Sequence, residues 1–406
     1  MIDASNVSIL NSYKRFPIVL RHGQGSVVYD EDGKDYLDFG AGIAVNSLGH
    51  NHPKIVRAIS EQASKIIHVS NLYFTRAQLD LADKLISLIA PGKIYYSNSG
   101  AEANECLIKL ARSYGSKEGR FEIITTDNSF HGRTMAGISA TGQEKVKKSF
   151  YPLLPGFKHV AYNDANALEF AISKDTVAVM IEGVQGEGGI IPATPEYLLK
   201  IRKICDKHNL LLFIDSIQCG FYRTGNFLSY NTILGKTDFL PDGISMAKGL
   251  GAGLPIGASW IADKFTSYLP QGSHGSTFGG NPLVTQTALT AINLIENEGI
   301  LENIKTQGNF LKSSLNSLLE KFPKQVKAVR GLGLMLGIEF NDIDKPTDMA
   351  DLTNAGYLSY LAMKEGLLLV PAGSNTLRFV PSYIVTREEC EKAISILEAL
   401  INKLDN

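Results

Sequence analysis

At 406 residues the chain exceeds what one hydrophobic core usually serves, so two domains, or a large domain with a smaller satellite, are expected. Hydrophobic residues make up 44% and charged residues 20%, the balance of an ordinary globular enzyme, which excludes a disordered chain. With 40 basic and 41 acidic side chains the net charge is −1, so no nucleic acid or anionic membrane is expected as a partner and the ligand should be small.

In chain order, the first thirty residues interrupt short apolar runs with Asp3, Lys14, Arg15, Arg21 and Asp30, and hold neither a signal-peptide core nor a membrane span. Asn51-His52-Pro53 reads as a cap and turn before a helix, and His50, His52 and His68 lack the spacing of a ligand set, so no metal is expected. Cys106, Cys205, Cys219 and Cys390 form no CxxC pair, which fits a reducing, cytoplasmic location. From about residue 93, β-rich runs at 93–97 (KIYYS), 121–126 (FEIITT), 177–182 (VAVMIE) and 210–215 (LLLFID) alternate with amphipathic stretches. Ala103, Leu107, Leu110 and Tyr114 recur at helical spacing, as do Leu198, Ile201, Ile204 and Cys205. Such alternation predicts an α/β fold with a largely parallel sheet. Near residue 296 a long amphipathic helix is predicted through Ile300, Ile304, Leu311 and Leu315, then a strand over 334–340 and a closing helix after Arg387. The expected division is an N-terminal segment over 1–50 packing with the small domain, a large domain over 51–296 and a small C-terminal domain over 297–406.

Candidate chemistry lies at the ends of the predicted strands. Ser97-Asn98-Ser99-Gly100-Ala101-Glu102 follows a strand and opens a helix, where free backbone N–H groups and the helix dipole favour an anion such as phosphate. Asp215 ends an apolar strand, the edge at which open α/β sheets bind ligands. Lys248 stands alone in the small, apolar run Met246-Ala247-Lys248-Gly249-Leu250-Gly251, a setting that lowers an amine pKa and suits imine formation. Phe130 and Arg133, in Phe130-His131-Gly132-Arg133-Thr134, offer a ring to stack on a planar group and a guanidinium for a carboxylate. Glu182 and Glu187 place two acids in a glycine-rich loop, as an acid–base pair, a gate or an arginine partner. A phosphate cradle, a ring-stacking face, an anion for a pyridine nitrogen and an imine-forming amine are together what pyridoxal phosphate (PLP) needs.

The segments NSGAEAN, SFHGRT, YPLLPGF, VQGEGG, AKGLGAGLPIGA, HGSTFGGNP and LRFVP, in this order from about Arg15 to the end, resemble the fold-type I, class III aminotransferases of ω-amino acids. The resemblance implies an aspartate-aminotransferase-like fold: a large PLP domain with a mostly parallel seven-stranded sheet, plus a smaller α+β domain. It implies that Ser99, Gly100 and Ala101 form the phosphate cradle, Phe130 stacks on the ring, Asp215 pairs with the pyridine nitrogen, Gln218 with the ring hydroxyl, and Lys248 is the Schiff-base lysine. Thr277 is implied to reach the phosphate of a neighbouring subunit, with Ser276 beside the substrate, in a homodimer with shared sites. Arg133 and Arg378 are implied to bind substrate carboxylates, with Glu187 pairing with Arg378 while an ω-amine is bound and releasing it for 2-oxoglutarate or glutamate.

The chain departs from the family pattern at Ser216 (usually Glu), Gly183 (usually Pro) and Phe221-Tyr222 (usually small or single-aliphatic residues). Gly42 stands near a tyrosine that contacts the free α-amine in ornithine-specific members, with Ser47-Leu48 as an apparent insertion. Glycine there favours an acylated donor, N2-acetylornithine first, ahead of succinylornithine, N-succinyl-diaminopimelate, free ornithine or γ-aminobutyrate. A rival reading, a dinucleotide-binding loop over 331–337 (GLGLMLG), fails on spacing and on the strand-like run that follows.

Overall fold

The structure is a computed structural model and describes residues 8–404; the first seven residues of the expected 1–50 segment, Asp3 among them, lie outside the described residues, as do the last two. The chain opens with three short antiparallel strands, β1 (Leu20–Gln24), β2 (Val27–Asp30) and β3 (Asp35–Asp38). Then follow β4 (Gly92–Ser97), β5 (Glu122–Thr126), β6 (Phe157–Val160) and β7 (Thr176–Glu182), a two-stranded ribbon of β8 (Val184–Gln185) with β9 (Ile191–Pro192), and β10 (Leu211–Asp215), β11 (Gly243–Met246) and β12 (Gly257–Ala262). The expected seven-stranded sheet has the order β4-β12-β11-β10-β7-β5-β6, parallel throughout except that β12 runs antiparallel to both neighbours.

Strands β7 and β10 are buried over their whole length, because helices cover both faces of the sheet. Along β10, Leu211 and Phe213 pack with Leu107 and Leu110 of the helix Gly100–Gly115, while Leu212 and Ile214 pack with Leu198, Ile201 and Ile204 of the helix Pro195–Lys207. Alternate side chains of a strand point to opposite faces, so this is a helix–sheet–helix sandwich. Each strand that begins a helical crossover releases its chain at the same carboxyl edge, where ligands of open α/β sheets bind.

A helix over Pro282–Asn297 precedes the expected one, and Gly299 in the left-handed region (φ 73°) separates it from Ile300–Lys321. The C-terminal part then forms β13 (Val326–Leu332), β14 (Met335–Phe340), β15 (Leu367–Leu368), β16 (Val370–Ala372) and β17 (Thr376–Phe379), closing with the helix Arg387–Leu404. Four of these strands make a sheet of order β13-β14-β17-β16, whereas β15 joins the N-terminal sheet beside β3. The glycines over 331–337 form the β13–β14 hairpin and face no phosphate site. Among the described residues, no helix is long and apolar enough to cross a membrane.

Candidate active site

Strand ends bring together residues that are far apart in the chain. Asp215 ends β10, in register with Glu182 at the end of β7 and Ser245 near the end of β11, and Lys248 follows β11 directly. With Asn98, Ser99, Gly100, Ala101, Phe130, Arg133, Ile217 and Gln218, the Asp215, Glu182 and Lys248 side chains line one cavity of about 440 Å³, within the usual range of small-molecule sites.

Asp215 is only 3% exposed, and its carboxylate takes three hydrogen bonds, with room for one more on Oδ1. Oδ2 takes hydrogen bonds from Asn104 Nδ2 and His131 Nδ1, each at 2.8 Å, and Oδ1 takes one from the Ile217 amide at 3.0 Å. Because a carboxylate only accepts, the tautomer with the proton on Nδ1 is the one that fits His131. Three donors hold the anion in place without consuming its charge.

Lys248 is half-buried on a turn that forces it to φ 47°, a conformation rare for a residue with a side chain. That turn is tied from outside: Ser47 Oγ donates to the Gly249 carbonyl at 3.1 Å, and Tyr383 Oη donates to the Phe221 carbonyl at 2.5 Å, while the Phe221 ring lies against Gly249. Burial pushes the Lys248 amine below the ordinary lysine value; the carboxylates of Glu187 and Asp215 counter this, and Arg378 adds to it. Burial, and then the charge of Asp215, hold the carboxyl of Glu182, in the cavity wall, well above the usual carboxylate range.

Arg378 on β17 is 1% exposed. Its Nη1 reaches Glu187 Oε1 and Gln218 Oε1, both at 2.6 Å, and Nη2 donates to the Pro371 carbonyl at 3.3 Å. Burial raises the Glu187 carboxyl, but Arg378 and Lys248, with hydrogen bonds from Arg378 and Gln218, outweigh it and leave Glu187 below the usual range. Arg133, in contrast, is exposed, lies over the Phe130 ring at 5.5 Å and has no ion-pair partner among the described residues.

Several expectations need adjusting. Gln218 gives its carbonyl oxygen to Arg378 and one amide N–H to Glu187, which leaves its second N–H for a ligand. The segment expected to be a glycine-rich loop is largely buried and includes the β8–β9 ribbon; a Cβ on Gly183 would come within 2.1 Å of Ser229 Oγ. Ser216 is buried, and its Oγ has no hydrogen-bond partner. Ser276 and Thr277 do not line the Lys248 cavity: Ser276 accepts a hydrogen bond from Asn98 at 3.2 Å and borders a separate cavity, and Thr277 is exposed. Gly42 is exposed on a left-handed turn, and the residue of that turn that lines the cavity is Val45.

Comparison with known proteins decides the family. Residues 9–401 match the family described as Aminotransferase class-III. The chain belongs to the class-III aminotransferases. It is 45% identical to the acetylornithine aminotransferase of Caldanaerobacter subterraneus subsp. tengcongensis, with all of both chains covered. Its backbone is similar to that of the ornithine aminotransferase from Toxoplasma gondii ME49 (TM-score 0.89, 28% identity, 98% of this chain and 93% of that one). It is also similar to N-acetylornithine aminotransferase from Stenotrophomonas maltophilia K279a (TM-score 0.80, 36% identity, 96% and 97% covered).

A class-III aminotransferase works with PLP, and the residues present fit that group. The helix Gly100–Gly115 begins at the cavity wall; Ser99 Oγ caps the Glu102 amide at 3.2 Å, and the Gly100 and Ala101 amides have no earlier carbonyl within the helix, which suits them to an anion. Gly100 packs against Ile217, where a Cβ would come within 2.8 Å of its side chain, which keeps the cradle as bare backbone. His131, Ile217 and Val45 line the cavity and Asn104 holds Asp215, yet none stood out as functional in the sequence. His131 lies within the quoted FHGRT segment; Asn104 gives no local signal, being 111 residues from the aspartate it holds.

Proposed function

We propose that this class-III aminotransferase moves the ω-amino group of N2-acetyl-L-ornithine to 2-oxoglutarate, giving N-acetyl-L-glutamate 5-semialdehyde and L-glutamate, a step of arginine biosynthesis. The observation that carries the two-substrate reading is the pairing of buried Arg378 with half-buried Glu187 at 2.6 Å. It is a carboxylate site already filled by the protein's own acid, which a dicarboxylate can claim and an ω-amine donor can leave closed. The acetylated donor is supported by 45% identity over the whole chain to an enzyme of that name, against 28% to the ornithine enzyme.

The roles follow from position. Ser99, Gly100 and Ala101 would hold the cofactor phosphate, Phe130 and Ile217 its ring, the Gln218 amide the ring hydroxyl, and Asp215 would favour a protonated pyridine nitrogen. Bound in this way, PLP supplies an electron sink for the carbon that carries the amine. Lys248 would hold the cofactor through its amine and would serve as a proton carrier beside it; burial lowers its pKa, which favours the uncharged amine. Arg133 takes the α-carboxylate of the donor. Arg378, freed from Glu187, takes the α-carboxylate of 2-oxoglutarate or glutamate.

We also propose a cytoplasmic homodimer with shared sites, in which Ser276 and Thr277 serve the partner's cavity. The exposed run Leu72, Tyr73 and Phe74, tied to the Ser276 segment through Asn71, supports that interface. The chain is divided into an N-terminal segment over 1–50, a large domain over 51–296 and a small domain over 297–406. Single-turnover mixing of the cofactor-loaded enzyme with each donor tests the function. Loss of the visible absorption band should be faster with N2-acetylornithine than with ornithine; an equal or faster rate for ornithine refutes the acetyl preference.

A further inference from the structure

Arg378 is one of two arginines that grip the segment carrying Glu187. On the C-terminal sheet Arg330 of β13 stands opposite Gly337 of β14, and Gly337 stands opposite Arg378 of β17. Directly opposed residues of antiparallel strands project to the same face, so the two arginines flank a glycine. A Cβ on Gly337 would lie 2.9 Å from Ile190 Cβ and from Thr376 Cγ2, and its absence lets the 187–190 segment settle between the two guanidinium groups. Arg330 Nη2 and Nε donate to the Gly189 carbonyl at 3.1 and 3.3 Å, and Nη1 is anchored on Glu339 Oε2 at 2.5 Å. Thr376 Oγ1, two residues before Arg378, accepts from Nη2 at 3.4 Å.

We propose that Arg330 is a positioning residue for the Glu187–Arg378 pair: anchored on Glu339, it fixes the backbone at Gly189, so that Glu187 leaves and regains Arg378 by moving its side chain alone. This rests on the pair being exchanged between the two substrates, as proposed above. The physical need is clear from the sequence around Glu187. Gly186, Gly188 and Gly189 give the segment little stiffness of its own, and Gly189 and Ile190 both take positive φ (112° and 56°). Without an anchor, the segment would drift whenever Glu187 let go, and re-forming the pair would require ordering it again. Arg378 would then more often face a donor that offers it no carboxylate, a buried charge without a partner.

The test uses the cofactor-loaded enzyme with Arg330→Met, and Glu339→Gln as a milder second variant. Amides of residues 187–190 should exchange with solvent about tenfold faster in Arg330→Met, with a smaller effect in Glu339→Gln. The donor KM should rise about five- to tenfold with kcat little changed, as expected when a binding-competent state becomes less populated, while the 2-oxoglutarate half-reaction is unchanged or favoured. Arg330→Lys, which keeps one donor to Gly189, should partly restore both readouts. Unchanged exchange at residues 187–190 in both variants overturns the clamp. Faster exchange with equal losses in the two half-reactions leaves the clamp standing and refutes the exchange of the Glu187–Arg378 pair.

Discussion

Two charged centres, Asp215 in the cavity wall and Arg378 behind Gln218, are held in opposite ways. Asp215 is fixed by hydrogen-bond donors on the main fold, namely Asn104 from a helix, His131 and the Ile217 amide, and Oδ1 keeps room for a ligand. Arg378 is balanced by another charge, Glu187, on a glycine-rich segment. A group whose partner stays the same through a reaction is best preorganised by dipoles, which cost nothing to rearrange at the moment of reaction. A group that must serve a dicarboxylate and then a donor without one is best covered by a side-chain charge it can exchange, because an uncovered buried guanidinium is costly.

The largest expected effect is on the fixed side. Lys248→Ala should lower kcat by at least about 10³-fold, since anchoring and proton transfer are lost together, and should abolish the visible band of lysine-bound cofactor. A variant that keeps that band would place the attachment elsewhere. Asp215→Asn keeps the shape and removes the charge; a loss of about 10²-fold in kcat with an unchanged circular dichroism spectrum is expected. A loss under about twofold would mean that this preorganised charge is not what the ring needs.

The lowered Lys248 pKa sets a pH dependence. A depressed amine loses its proton at lower pH than an ordinary lysine, so capture of PLP by cofactor-free protein should rise with pH and level off with a midpoint below 10.5. A midpoint at or above that value contradicts the buried setting. The smallest effects concern two of the departures from the family pattern, Gly183 and Ser216. Gly183→Ala should destabilise by about 1–3 kcal/mol, because its Cβ meets Ser229. Ser216→Ala should change the melting free energy by no more than about 0.5 kcal/mol, since it removes a hydroxyl without a partner. Thermal unfolding of the pair checks both, and a reversed order would show that the segment after β7 is not packed as described.

The sandwich core was legible because its strands are buried on both faces and read as continuous apolar runs; the strands predicted over 93–97, 121–126, 177–182 and 210–215 agree with β4, β5, β7 and β10 to within a residue at each end. Strand β1 was not legible: Leu20–Gln24 is largely exposed, has no apolar alternation and owes its form to pairing with β2. The helix Pro282–Asn297 was hidden for the opposite reason, being buried on most sides and so showing no amphipathic stripe. At the site, Lys248, Asp215 and the Gly100 cradle were legible because each has local chemistry at a strand end. The Asn104 and His131 donors on Asp215 and the Arg330 clamp were not, since they depend on contacts 84 to 141 residues apart, which no spacing rule records.

The most direct test of the exchangeable arginine is to measure both half-reactions by single turnover in Arg378→Ala, with Arg133→Ala as its counterpart. The account predicts that Arg378→Ala slows chiefly the 2-oxoglutarate half-reaction, by about 10²-fold, as expected for a lost buried charge partner. Arg133→Ala should raise the requirement for both substrates. Equal damage to the two half-reactions by Arg378→Ala would contradict it.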